Sequence, residues 1–231
     1  METINCRNVM KKFGKTEALN GVSFSLESGR IVGLLGPNGS GKTTLIKILN
    51  GLMRVDDGAV TILGKEIGKE TKAVAAYLPD RTFLPDHMRV GKLLKYYQDF
   101  FKDFDRQMAE RLLGEMGVDV NAKFGKCSKG TKEKICLILT VSRRAKVYFF
   151  DEPIAGVDPA ARERILRVLV ENYAEDAVVL LSTHLIADVE PILDDIMFLN
   201  KGVITLHEDA DSLRERTGKS VDELFREEFK C

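Results

Sequence analysis

One stretch, Gly36-Pro37-Asn38-Gly39-Ser40-Gly41-Lys42-Thr43-Thr44, constrains the fold of this chain more than any other. It fits the spacing G-x-x-x-x-G-K-[ST] and has the surroundings that spacing requires. Before it runs Ile31-Val32-Gly33-Leu34-Leu35, which reads as a buried strand; after it Leu45, Ile48, Leu49 and Leu52 recur at the offsets of one helical face. Strand, glycine-rich loop and helix in that order turn successive backbone N–H groups inward, with the positive end of the helix behind them. Such a loop suits phosphate. Lys42 then neutralises charge on β- and γ-phosphates, and Thr43 offers a hydroxyl to Mg²⁺.

The rest of the chain reads as one α/β unit built around that loop. Val22, Phe24 and Leu26 alternate with Ser23 and Ser25 as in a strand with one wet face. Asp57-Gly58 and Asn200-Lys201-Gly202 each sit between β-rich segments and predict antiparallel hairpins. The runs Val147–Phe150 and Ala177–Leu181 lack alternation, as in parallel strands covered on both faces, and Ile165, Val168 and Leu169 supply a crossover helix between them. From about Thr82 to Ala145 the sequence turns helix-forming. The expected fold is a P-loop NTPase core with a mainly parallel sheet, an N-terminal antiparallel β subdomain and a helical insertion. All of 1–231 forms a single domain, with the core at about 1–81 and 146–231 and the helical subdomain at about 82–145. Near the end Ser220 stands three residues before Glu223, a capping-box spacing, and Val221, Leu224, Phe225 and Phe229 follow as an apolar stripe for core packing.

Composition narrows the class of function. With 231 residues, 44% of them apolar, the chain can bury a sizeable core. Thirty-five Lys and Arg balance thirty-five Asp and Glu, so nothing in the overall charge argues for nucleic acid or anionic lipid as partner. Ala177–Leu181 and Ile135–Leu139 stop after five residues, far short of the roughly 20 a membrane-spanning helix needs. Met1-Glu2-Thr3-Ile4-Asn5 has neither the basic start nor the apolar run of a secretory signal, which places the protein in the cytosol. Cys6, Cys127, Cys136 and Cys231 show no C-x-x-C spacing and are expected to be unpaired thiols rather than a zinc site or disulfide set.

A phosphate loop alone does not separate kinases, GTPases, helicases and transport ATPases. Val147-Tyr148-Phe149-Phe150 runs directly into Asp151-Glu152, two carboxylates at the carboxyl end of a buried strand, where α/β sheets bind their ligands. Asp151 suits the Mg²⁺ shell, and Glu152, pointing elsewhere, suits a general base that polarises water.

In order, the chain carries the phosphate loop, Cys127-Ser128-Lys129-Gly130-Thr131, Asp151-Glu152-Pro153, Gly156-Val157-Asp158-Pro159 and Ser182-Thr183-His184. That series resembles the ABC ATPases over essentially the whole length. Residues 127–131 are similar to the family signature Leu-Ser-Gly-Gly-Gln, keeping Ser128 and Gly130 and departing at Cys127, Lys129 and Thr131. The resemblance implies that Ser128, Gly130 and the helix expected from about Lys132 to Val141 reach the γ-phosphate held by a second subunit. A monomer then has half a site. The plain alternative for Ser128-Lys129-Gly130 is a solvated turn that caps a helix. By the same resemblance His184 contacts the γ-phosphate, Asp158 crosses the dimer interface, and Phe13 stacks on adenine, although packing the first hairpin would equally explain Phe13. His87 and His207 are given no role.

One departure stands out: where the family places Gln beside Mg²⁺ and the attacking water, this chain has Tyr77-Leu78-Pro79-Asp80-Arg81. Asp80 is expected to ligate Mg²⁺ or, alternatively, to form a plain salt bridge with Arg81. The resemblance thus implies an ATP- and Mg²⁺-dependent ATPase subunit. It implies pairing as a homo- or heterodimer, a separate transmembrane permease driven in the direction of export, and a place on the cytoplasmic face of a membrane. The rival is a soluble ATPase of this family in DNA repair or translation, which needs a coiled-coil arm or zinc modules that the interval from Asp80 to Ser128 leaves no room for. A P-loop kinase would account for Lys42 but not for the signature or His184.

Overall fold

The computed structural model describes residues 2–155 and 157–229; Gly156 and Cys231, named above, lie outside them. Two sheets form. Strands β1 (Glu2–Phe13), β2 (Thr16–Glu27), β4 (Asp57–Ile62) and β5 (Lys65–Glu66) make an antiparallel sheet in the order β2-β1-β4-β5. Strands β3 (Arg30–Leu35), β6 (Ala75–Leu78), β7 (Val147–Asp151), β8 (Val178–Thr183), β9 (Asp195–Asn200) and β10 (Val203–Asp209) make a six-stranded sheet in the order β10-β9-β3-β8-β7-β6. Its pairings are parallel except for β9 with β10, which are joined as a hairpin at Lys201-Gly202 as expected.

The continuous apolar runs explain why this sheet is central. Val147–Asp151 and Val178–Thr183 are buried at every position, so both of their faces must be covered. Val32, Leu34, Val147, Phe149, Val178 and Leu180 face one way, onto Leu45, Ile46 and Leu49 of α1 (Lys42–Leu49) and the apolar side of the antiparallel sheet. Their neighbours Ile31, Leu35, Tyr148, Phe150, Val179 and Leu181 face the other way. They meet α3 (Val90–Phe100), α4 (Arg106–Glu115), α5 (Lys129–Val141) and α6 (Pro159–Asn172), the crossover between β7 and β8. After α7 (Ile186–Val189), α8 (Ala210–Thr217) and α9 (Val221–Phe229) close that layer, with Val221 and Phe225 buried and Leu224 and Phe229 packed against them. The expected capping box is present: Glu223 Oε2 accepts from the Ser220 N–H at 2.8 Å while Ser220 Oγ accepts from the Glu223 N–H at 3.2 Å.

Three expectations are corrected. Asp57-Gly58 is not a hairpin but the start of β4, where the register against β1 slips between Arg7 and Met10. A Cβ on Gly58 would stand 2.3 Å from the Asn8 carbonyl oxygen, so the glycine permits a close backbone approach inside the sheet. Leu52 lies beyond α1, which ends at Leu49, and is 62% exposed. The helix near the signature starts at Lys129, three residues before the expected Lys132, because Ser128 caps it. Cys6, Cys127 and Cys136 are free thiols.

Candidate functional site

Parallel pairing decides which residues meet at the carboxyl edge of the sheet. Leu35 lies opposite Thr183, Asp151 opposite Ser182, and Leu78 opposite Phe150. The loop after β3, His184 after β8, Glu152 after β7 and Pro79-Asp80 after β6 therefore emerge side by side. Residues more than a hundred positions apart in sequence share one rim because four strands end level.

The loop of residues 36–41 is wound too tightly for side chains at its two ends. A Cβ on Gly36 would lie 2.3 Å from the Leu199 carbonyl oxygen and 2.7 Å from Ser40 Oγ, and one on Gly41, whose φ is 112°, 2.5 Å from the Ala18 carbonyl oxygen. Within the loop the Ser40 N–H donates to the Pro37 carbonyl at 3.2 Å, and the Ser40 carbonyl accepts from the Gly202 N–H of the β9–β10 turn at 2.9 Å. Asn38 and Gly39 are exposed at the tip. Gly41 precedes α1 without a side-chain cap, which leaves the first-turn N–H groups of Lys42, Thr43 and Thr44 available to an anion. Lys42 is buried, its Nζ donating to the carbonyls of Gly36 at 2.6 Å and Pro37 at 3.1 Å. Burial pulls its ammonium below the ordinary value, and the carboxylates of Glu152 and Asp151 oppose that pull.

The two carboxylates differ in their surroundings. Asp151 is 1% exposed; its Oδ1 accepts from Ser182 Oγ at 2.7 Å and Thr43 Oγ1 at 3.1 Å, while its Oδ2 is buried without a hydrogen-bond partner. Burial raises its carboxyl above the ordinary value, the two hydroxyls oppose the rise, and the charges of Asp80 and Glu152 add to it. Glu152 sits in the left-handed region at φ 53°, uncommon for a residue with a side chain, and its N–H donates to the Ser182 carbonyl at 2.9 Å. That turn carries its carboxylate away from Asp151 to His184, whose Nδ1 lies 3.0 Å from Glu152 Oε2. The donor set fits a small, hard divalent cation: all oxygen, a Thr43 hydroxyl already drawn to Asp151, and a buried carboxylate oxygen without a partner.

Asp80 stands beside this group, close enough for its charge to act on Asp151. Its salt bridge with Arg81 is long, 3.9 Å, and Arg81 is 93% exposed, so the pair holds little. Ser128 does cap α5, accepting from the Thr131 N–H at 3.2 Å, yet Ser128 and Lys129 are exposed and Gly130 is half-buried. The cap and an outward-facing signature are therefore the same feature. A cavity of about 720 Å³ lined by Asp80, Lys129, Glu133 and Glu152 separates that first turn from the rim. Asp158 is exposed just before α6. Phe13, 49% exposed at the end of β1 with the Lys11 ammonium 5.8 Å from its ring centre, is not part of the core. Ser182 was given no role by the sequence, although two hydroxyl residues, Ser182 and Thr183, closing a buried apolar strand were the available signal.

Comparison with known proteins bears on the family and the fold. A family profile described as ABC transporter matches residues 19–155. An uncharacterized ABC transporter ATP-binding protein of Synechocystis is 33% identical over 196 residues, 81% of this chain and 55% of its own, so the chain spans about half the length of that relative. The Nod factor export ATP-binding protein I of Burkholderia lata is 30% identical over 208 residues, 86% of this chain and 68% of its own. A solved structure described as the ATP binding subunit of an ABC transporter superposes with a TM-score of 0.87 at 29% identity, over 97% of this chain and 98% of that one.

Proposed function

Since the chain belongs to the ABC transporter family, we propose that it binds and hydrolyses ATP with Mg²⁺ on the rim formed by residues 36–44, Asp151, Glu152 and His184, and that this cycle drives a separate membrane permease. The observation that carries the proposal is the pair of contacts at the strand ends, Thr43 with Asp151 and Glu152 with His184. They divide the work between one carboxylate that faces the phosphate loop and one held apart from it.

In this reading Gly36 to Thr44 wrap the phosphates, Lys42 leaves its two carbonyls for the β- and γ-phosphates, and Phe13 stacks on adenine. Thr43 and Asp151, with Asp80 alongside, would hold Mg²⁺, which when bound offsets negative charge on the β- and γ-phosphate oxygens. Glu152 orients and deprotonates the attacking water, and His184 steadies the Glu152 carboxylate and the γ-phosphate. Ser128 and Gly130, exposed at the head of α5, together with Asp158, meet the nucleotide of a second subunit, identical or related.

The helical subdomain at about 82–145 carries the signature and one wall of an apolar groove of about 630 Å³. Leu52, Phe83, Tyr96, Tyr97 and Phe101 line it. No helix among the described residues is long and apolar enough to cross a membrane. The groove suits the permease, a different polypeptide, which would hold the chain at the cytoplasmic face. Export is the direction favoured, on the likeness to the Nod factor export protein.

Glu152→Gln tests this directly. The variant is expected to bind ATP, to lose about 10²- to 10⁴-fold in turnover, and to elute as a dimer on size-exclusion chromatography with Mg-ATP. A variant that hydrolyses ATP normally, or remains monomeric at every concentration, overturns the proposal.

A further inference from the structure

Ser182 bonds the carboxylate of Asp151 and the backbone of Glu152. Its Oγ donates to Asp151 Oδ1 at 2.7 Å, and its carbonyl accepts the Glu152 N–H at 2.9 Å. It is fully buried in β8, between Leu181 and Thr183 and level with Leu34 of β3 and Asp151 of β7, and the partner its hydroxyl finds there is the Asp151 carboxylate. The hydroxyl is spent entirely on one oxygen of one carboxylate. Asp151 Oδ1 then receives two donors, from Ser182 and Thr43, while Oδ2 receives none and is shut from water.

A carboxylate free to turn about its last bond would bring either oxygen to the loop; one with Oδ1 tied from the neighbouring strand presents Oδ2 in a fixed direction. We propose that Ser182 is a positioning residue for the metal that accompanies the nucleotide: it pins Asp151 from behind so that Oδ2 stays presented to a divalent cation. At the same time its carbonyl holds the left-handed turn that sends Glu152 to His184. The proposal rests on the nucleotide reading above and goes beyond it, since it separates capture of the metal from capture of ATP.

The test measures metal and nucleotide separately. Mn²⁺ binding is followed by electron paramagnetic resonance in the presence of excess β,γ-imido ATP, and nucleotide binding alone by fluorescence titration in EDTA. Ser182→Ala is expected to raise the Mn²⁺ concentration for half-saturation about tenfold, as loss of a hydrogen bond to a charged group would. Nucleotide affinity in EDTA is expected to stay within about twofold, and Ser182→Thr, which keeps the hydroxyl, to recover most of the metal affinity. If the alanine variant does not fold, Ser182→Cys, of similar size but a weak donor, is expected to show the same shift. An unchanged Mn²⁺ requirement in the folded alanine or cysteine variant overturns the role of Ser182. A wild-type protein that binds neither nucleotide nor Mn²⁺ with it would instead sink the nucleotide reading.

Discussion

Arg143 and Asp151 are both shut away from water, 4% and 1% exposed, but their surroundings are opposites. Arg143 is completed. Its Nε and Nη2 grip Asp103 at 2.9 and 2.8 Å, its Nη1 and Nη2 donate to the carbonyls of Ala75 and Ala73, and its plane lies 4.0 Å from the centre of the Phe101 ring. Asp151 has two hydroxyls on one oxygen and nothing on the other. A buried charge with its partners in place fastens the chain segments that supply them, here the end of α5, the short helix α2 (Lys69–Ala73), the strand β6 and the loop after α3. A buried charge left short is a standing cost, tolerated where something else is meant to complete it. One arrangement serves the fold and the other, on the function proposed above, the site.

The contrast is open to three measurements. Arg143→Ala strands Asp103 and two carbonyls, and the unfolding free energy from denaturant titration is expected to fall by about 3 kcal/mol, with nucleotide affinity of the folded fraction unchanged. A loss below about 1 kcal/mol would mean the cluster is no fastener.

Asp151→Asn should have the opposite sign. Because the folded-state carboxyl is raised above its ordinary value of 3.8, the folded chain holds its proton more tightly than the unfolded chain. Wild-type stability from this group therefore declines as pH climbs from that ordinary value through the raised one. The neutral amide escapes the decline. In EDTA at neutral pH the variant is expected to melt about 2–4 °C higher while losing turnover, and the advantage should vanish below the ordinary carboxylate value. A variant that melts lower at neutral pH would show that Asp151 is a fastener too.

The smallest effect belongs to Arg81→Ala. With a 3.9 Å contact and an almost fully exposed side chain, stability is expected to change by less than about 0.5 kcal/mol. A larger loss in calorimetry would restore Asp80–Arg81 to the structural side of the comparison.

What the sequence disclosed follows from how local each signal was. The phosphate loop and the strands built on the runs Val147–Phe150 and Ala177–Leu181 were legible because glycine spacing and unbroken apolar runs have few other physical meanings. Asp57-Gly58 was misread because a turn and a register slip ask the same thing of a glycine. Leu52 kept the helical period, but Gly51, at φ 63°, had already left the helix. The length of α5 was underestimated because its first turn is polar, although a cap at Ser128 was among the readings the sequence offered and its hydrogen bond from the Thr131 N–H is present. Ser182 could be assigned nothing in advance, since its meaning comes from which strand lies beside it. Capping and periodicity are written along the chain, and strand order is not.

The turn at Lys201-Gly202 has a consequence for anyone who would alter this protein. Tips of β-hairpins usually accept inserted tags, epitopes or reporter peptides because they hang in solvent. This one is docked by the Gly202 N–H on Ser40 and by the Gly202 carbonyl on the Asn20 N–H, 2.9 and 2.8 Å away. Lengthening it would pry at the floor beneath Gly36, so a graft at this tip amounts to surgery on the phosphate loop.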